Sequence, residues 1–238
     1  MNVLAIGNSF SQDAMRYLHK IAAADGVDIT TVNLMIGGCS LFTHYKNMLT
    51  DEKKYRLEHN GEDTGFYVSL KEALLNREWD VVTMQQVSTK STNCETFQPY
   101  LDELSEYVKK MAPKAKQILH QTWAYEQDSD RLCKNLGYEK QEDMFNDIKA
   151  SYEKAIKNKN FVDIIPSGEL FQGLIAEGIN KIHRDTFHAS LGLGRYALGL
   201  LWYKKLMGND ITDNSFCEFD EPVSCDDIAI VKKVLRKL

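Results

Sequence analysis

Apolar residues are arranged along the chain in two ways, as short unbroken runs and at helical spacing, and the two alternate from one end to the other. Val3 to Ile6 form the first run, four apolar residues halted by Gly7, which predicts a short strand covered on both faces. Ala14, Tyr17, Leu18, Ile21 and Ala22 then fall at helical spacing and predict a helix over 11–25. A second strand is expected over 28–35, where Ile29, Thr30, Thr31 and Val32 are β-branched, and it runs into Gly37-Gly38-Cys39-Ser40. Further strands are expected at 79–84, 117–123 and 161–165. Helices are expected at 96–111, stopped by Pro113, at 139–158 and from about Glu169. Residues 189–207 are apolar nearly all round and predict a buried helix, and a last helix opens at Ser224 and ends in lysines and arginine. Residues 41–78 show no sustained period. They carry a hairpin-like Asn60-Gly61 turn and a helix over 69–76, and are expected to supply a flap between two strands.

Five strands alternating with helices predict an α/β fold: a three-layer α/β/α sandwich around a five-stranded parallel sheet with right-handed crossovers. With no Pro/Gly/Ser-rich linker and no repeat in 238 residues, a single domain over 1–238 is expected. The carboxyl edge of such a sheet collects Ser9, Gly38, Gln85, Gln86 and Trp123.

A net charge of −5 without a basic stripe argues against nucleic acid as a partner. No apolar run approaches the roughly 20 residues of a membrane span. The chain enters strand pattern at once, without a basic start and a small-residue cleavage site, so a cytoplasmic location is expected for the sequence as written. Five scattered cysteines with no C-x-x-C pair fit reduced thiols better than a disulfide framework or a zinc site.

Ser9 falls at a strand-to-helix junction, where unpaired N–H groups can hold an anion that develops beside a nucleophile. The same residues, Ser9 and Gln12, also fit a Ser-x-x-Gln capping box, which needs no catalysis. Gly37-Gly38 after the second strand either turns an N–H outward or makes a plain turn. Gln85 and Gln86 end the third strand, where an amide can donate to an oxyanion or bond local backbone. His44 in the loop region and Trp123 and Tyr125 beyond the fourth strand are candidate substrate contacts. Asp185 and His188, three residues apart, can meet within one turn as an acid/base pair or as a surface ion pair. Taken together, a nucleophile, oxyanion donors and an acid/base pair converge on one sheet edge, as a serine hydrolase requires.

Gly7-Asn8-Ser9-Phe10-Ser11, Gly38 and Asp185-Thr186-Phe187-His188 resemble the sequence blocks of the SGNH (GDSL-like) hydrolases, and the resemblance spans nearly the whole chain. It implies a flavodoxin-like topology, Ser9 as nucleophile, His188 and Asp185 as its partners, and the N–H groups of Ser9 and Gly38 in the oxyanion hole. Two positions depart from the family pattern. Asn8 stands where the family usually has Asp, and no Gly-x-Asn-Asp block occurs; Met84-Gln85-Gln86-Val87-Ser88 takes its place. That block looks more like the Gln-containing one of the sialate and sugar acetylesterase branch, which implies Gln85, with Gln86 second, as the third oxyanion donor. Together with Gln121-Thr122-Trp123-Ala124, it also resembles a mostly uncharacterised bacterial branch. The implied reaction removes an acetyl or other short acyl group from a small-molecule or oligosaccharide ester without a cofactor. Two rivals are a metal-dependent hydrolase using His183, Asp185 and His188 in an H-x-D-x-x-H pattern, and a non-catalytic carbohydrate-binding protein that stacks sugars on Trp123 and Tyr125. The oligomeric state is not legible.

Overall fold

The computed structural model describes residues 1–238. Its five parallel strands are β1 (Asn2–Gly7), β2 (Thr30–Met35), β5 (Val81–Met84), β6 (Lys116–His120) and β7 (Phe161–Ile165). Two more strands, β3 (Tyr55–His59) and β4 (Glu62–Val68), make a mixed seven-stranded sheet in the order β4-β3-β2-β1-β5-β6-β7. Successive residues of β1 from Val3 on, and all of β5, are buried, and since neighbours on a strand point to opposite faces, both faces of the sheet centre are covered.

The expected five-stranded parallel sheet is corrected by the hairpin. Residues 55–68 are not a flap: β3 pairs antiparallel with β2, and β4 with β3. Asn60 and Gly61, both at positive φ, form the tight turn between them. The hairpin escapes a hydrophobic reading because β4 is an edge strand exposed along most of its length, and edge strands are polar where they meet water.

Helix α8 (Leu193–Met207) centres one helical group, touching α1 (Ser9–Met15), α2 (Leu18–Ala24), α7 (Ser167–Ala176) and α9 (Cys225–Leu235). Its residues from Tyr196 to Tyr203 are all buried, which accounts for its apolar character all round. The helix expected over 11–25 is broken in two at Arg16-Tyr17. A second group holds α3 (Leu41–Thr50), α4 (Leu70–Leu75) and α5 (Tyr100–Met111), while α6 (Gln141–Ala155) packs on the turn at Cys94–Phe97 and on α7. No helix is long and apolar enough to cross a membrane. Among the parallel strands the chain order reverses between β1 and β5, the place where open α/β sheets leave a crevice beyond their carboxyl ends. Ser9 follows β1 directly.

Candidate active site

Gly7 ends β1 because nothing larger fits: a Cβ there would lie 2.1 Å from Ser11 Oγ. Asn8 caps α1. Its Oδ1 accepts the N–H of Phe10 at 2.9 Å, and its own N–H donates to Ser11 Oγ at 3.1 Å, a reciprocal capping box. The box expected at Ser9 and Gln12 is thus set one residue earlier, which leaves the Ser9 hydroxyl free of capping.

That hydroxyl lies 2.8 Å from Nε2 of His188, and Nδ1 of His188 lies 2.8 Å from Oδ2 of Asp185. With Nδ1–H donating to the carboxylate, the lone pair on Nε2 is left to accept the serine proton. Asp185 Oδ1 accepts the backbone N–H of His188 at 2.9 Å, so one carboxylate fixes both the ring and the chain that carries it. Partial burial pushes the Asp185 carboxyl up, but the ring and backbone N–H bonds from His188 and the N–H of Phe187 outweigh it and hold the group below its usual range. Residues three apart can meet this way because Thr186 takes φ 74°, a left-handed conformation that β-branched residues rarely adopt. The loop is pinned at the two residues that precede His188. Glu126 N–H donates to the Thr186 carbonyl at 2.8 Å, and the Trp123 indole N–H to the Phe187 carbonyl at 2.8 Å.

Asp13 holds the same loop to α1. Fully buried one turn after Ser9, it accepts Nη1 of Arg184 and Nε of Arg195, each at 2.9 Å, and the N–H of Ala189 at 3.2 Å. One short helix therefore carries Ser9 and fixes the segment that bears Asp185 and His188. Sequence reasoning missed Asp13. The available signal was an acid on the apolar face of a helix, four residues before Tyr17, with arginines on both sides of the last block.

Gly38 sits at φ +62°, which turns the backbone at the end of β2 in a way a side chain would strain. The N–H groups of Ser9 and Gly38 donate to nothing within the protein, and both residues line the cavity that holds His188. Those are the two backbone donors an oxyanion would need.

Gln85 and Gln86, expected as oxyanion donors, do not line the cavity and are held by partners inside the protein. Gln85 Nε2 donates to Asn8 Oδ1 at 2.7 Å, and its Oε1 accepts Nδ1–H of His120 at 2.7 Å, while Nε2 of His120 accepts the Ser167 hydroxyl at 3.1 Å. Gln86 donates to the Thr96 carbonyl at 2.8 Å and accepts the N–H groups of Leu41 and Val87. Both amides are buried and bonded within the protein, Gln85 keeping one N–H of its Nε2 without a partner. Asn8 passes the support on, since its Nδ2 donates to the Cys39 carbonyl at 3.1 Å and so ties the Ser9 turn to the Gly38 loop.

His44 and Trp123 do not reach the cavity either. His44 is fully buried, its Nδ1 3.0 Å from the Tyr55 hydroxyl. Trp123 lies behind the site, stacked on Phe10 with ring centroids 3.9 Å apart. His44, expected in a loop, lies in α3 against Tyr55, and Trp123, beyond the end of β6, lies against Phe10. Tyr125 does line the cavity, with its hydroxyl 2.8 Å from Ser88 Oγ. His183 turns away, donating from Nε2 to the Ala124 carbonyl at 3.0 Å, and no group of three His, Cys, Asp or Glu side chains is arranged to hold a metal ion.

Burial pushes His44 and His120 down to about 3, so both rings are neutral in the folded chain. An unfolded histidine titrates near 6.5. Below that value the unfolded chain binds protons that the folded chain refuses, so stability falls as pH drops from about 6.5 towards 3. The loss approaches about 1.4 kcal/mol per pH unit for each ring. Thermal melts between about pH 7.5 and 5 are expected to show this decline, with a shallower slope in His120→Gln. A flat profile would contradict it.

The cavity has a volume of about 570 Å³ and adds Gln12, Ser88, Arg131 and Arg184 to the residues expected from sequence. Arg131 and Arg184 lie in segments that sequence patterning left without a role.

A family model described as "Domain of unknown function (DUF4886)" matches residues 2–234. The structure of a DUF4886 family protein from Bacteroides uniformis is similar over 100% of this chain and 93% of its own, with 30% identity and a TM-score of 0.92. A candidate SGNH hydrolase from Slackia heliotrinireducens aligns over 87% of this chain and 98% of its own, at 21% identity and a TM-score of 0.62. An acetylxylan esterase from Geobacillus stearothermophilus aligns over 87% and 92%, at 11% identity and a TM-score of 0.54. At such identities the last two likenesses are of fold. No curated protein sequence matches the chain.

Proposed function

The chain belongs to the DUF4886 family, and we propose that it is a serine hydrolase of carboxylic esters, removing an acetyl or other short acyl group from a carbohydrate. The observation that supports this most is the unbroken line of hydrogen bonds from Ser9 through His188 to Asp185 at the mouth of a cavity. In this reading Ser9 Oγ attacks the ester carbonyl as His188 Nε2 takes its proton, and Asp185 stabilises the imidazolium that results. The N–H groups of Ser9 and Gly38 hold the tetrahedral oxyanion, each donor lowering the barrier by about 3 kcal/mol. His188 then protonates the departing alkoxide, and a water activated by the same ring clears the acyl group from Ser9.

A carbohydrate alcohol is favoured by an open cavity whose lining mixes Gln12, Ser88, Thr89 and Tyr125 with few aliphatic groups. The acetylxylan esterase that shares the fold acts on such a substrate by its name. Incubation with acetylated oligosaccharides and an activated aryl acetate, in the presence of a chelator, is expected to release acetate at the rate seen without chelator. Loss of turnover on chelation, or binding of acetylated sugar with no release, would overturn the proposal.

A further inference from the structure

The cavity beside Ser9 and His188 is lined by two guanidinium groups, those of Arg131 and Arg184, and by no carboxylate, in a chain whose net charge is −5. The two cations differ in their partners. Arg184 is neutralised by the buried carboxylate of Asp13. Beyond it, Arg195 and Arg16 share Asp220, and Arg16 also meets Glu62, so that cluster is internally matched. The exposed side chain of Arg131 makes no ion pair and no hydrogen bond within the protein. Its guanidinium carbon lies 4.0 Å from the centroid of Phe187, whose ring is in turn 3.8 Å from that of His188. Packing on Phe187 holds the guanidinium one ring away from His188 and leaves its N–H donors unspent.

A planar fork of free donors beside a reaction centre matches a carboxylate, which it can hold through two parallel hydrogen bonds. Resting on the esterase reading, we infer that the ester this site takes carries a carboxylate that docks on Arg131 while the ester carbonyl lies at Ser9. Arg131 is then a specificity residue and takes no part in the bond changes. The charge can belong to the alcohol, as in an acylated acidic sugar, or to the acyl group, as in the half-ester of a dicarboxylic acid.

Two substrate pairs separate these sources: an acetylated uronic acid against its neutral uronamide, and a hydrogen succinate ester against the succinamate ester of the same alcohol. Wild type is expected to favour the charged member of one pair by about ten-fold in kcat/KM, and the pair that responds names the source. Arg131→Gln should bring that ratio close to one, Arg131→Lys should keep part of it, and about 0.5 M salt should shrink it in wild type. Because the ratio is internal to each protein, a general loss of activity in a variant does not imitate the effect. Equal rates within both pairs, or a preference that survives Arg131→Gln, would overturn the inference and leave the esterase reading standing. Failure to hydrolyse any of the four esters, and the aryl acetate as well, would remove the esterase reading and this inference with it.

Discussion

Ser9→Ala is expected to lower kcat/KM for an activated aryl acetate by at least about 10⁴-fold, since loss of a nucleophile leaves only binding and oxyanion stabilisation. Its effect on stability should be small. Asn8 supplies the cap of α1, and the Ser9 hydroxyl bonds only the partly buried ring of His188, so the melting temperature should stay within a few degrees of wild type. Steady-state kinetics and a thermal melt on the same preparation check both halves. A variant that retains activity would reduce Ser9 to a polar residue near a histidine.

Asp13→Ala is expected to act in the opposite order, on stability first. Asp13 is fully buried and is the common acceptor for Arg184, Arg195 and the Ala189 N–H. Removing one partner of a buried ionic group typically costs 3–5 kcal/mol, because the remaining charges lose their compensation. Arg184 and Arg195 keep some contact with water, with side chains 25% and 13% exposed, so the lower end applies, about 3 kcal/mol. At 2–4 °C per kcal/mol for a chain of this size, that lowers the melting temperature by about 10 °C. Ester hydrolysis should fall as well, since the segment bearing Asp185 and His188 loses its tie to the helix that bears Ser9. Asp13→Asn keeps one acceptor and the shape of the side chain, and should lie between the two. A melting temperature within two or so degrees of wild type in Asp13→Ala would show that the network is not what fastens the loop.

The parallel strands were legible because a strand buried on both faces must be a continuous apolar run, as Val3 to Ile6 is. The Asn60-Gly61 turn was legible too, but the two strands it joins were not, since Arg56, Glu58, Glu62 and Asp63 interrupt any alternation and β4 lies at the sheet's edge. For the site, position along the chain was informative and side-chain direction was not. Ser9 after β1 and Gly38 after β2 are brought together because strand ends of a parallel sheet share an edge, while the segment bearing Asp185 and His188 follows no strand and is held to α1 through Asp13. Gln85 and Gln86 share that edge too, yet their amides turn inward to Asn8, His120 and Thr96. A strand-end amide can face the crevice or the core, and only the partners decide. Trp123 and His44 show the same limit, since the rings that bury them, Phe10 and Tyr55, lie 113 and 11 residues away in sequence. Asp13 and Arg131 carry no motif; what sets them apart is which charges have partners in the fold.

In the proposed reaction the acyl group passes through Ser9 Oγ. That step is tested most directly by a fluorophosphonate, which reacts irreversibly with an activated serine hydroxyl, followed by peptide mass mapping of wild type and His188→Ala. One adduct per chain, on Ser9, is expected in wild type, and little or none once His188 no longer takes the proton. Hydrolysis of esters by a wild-type protein that carries no adduct on Ser9, or carries it on another residue, would contradict the account.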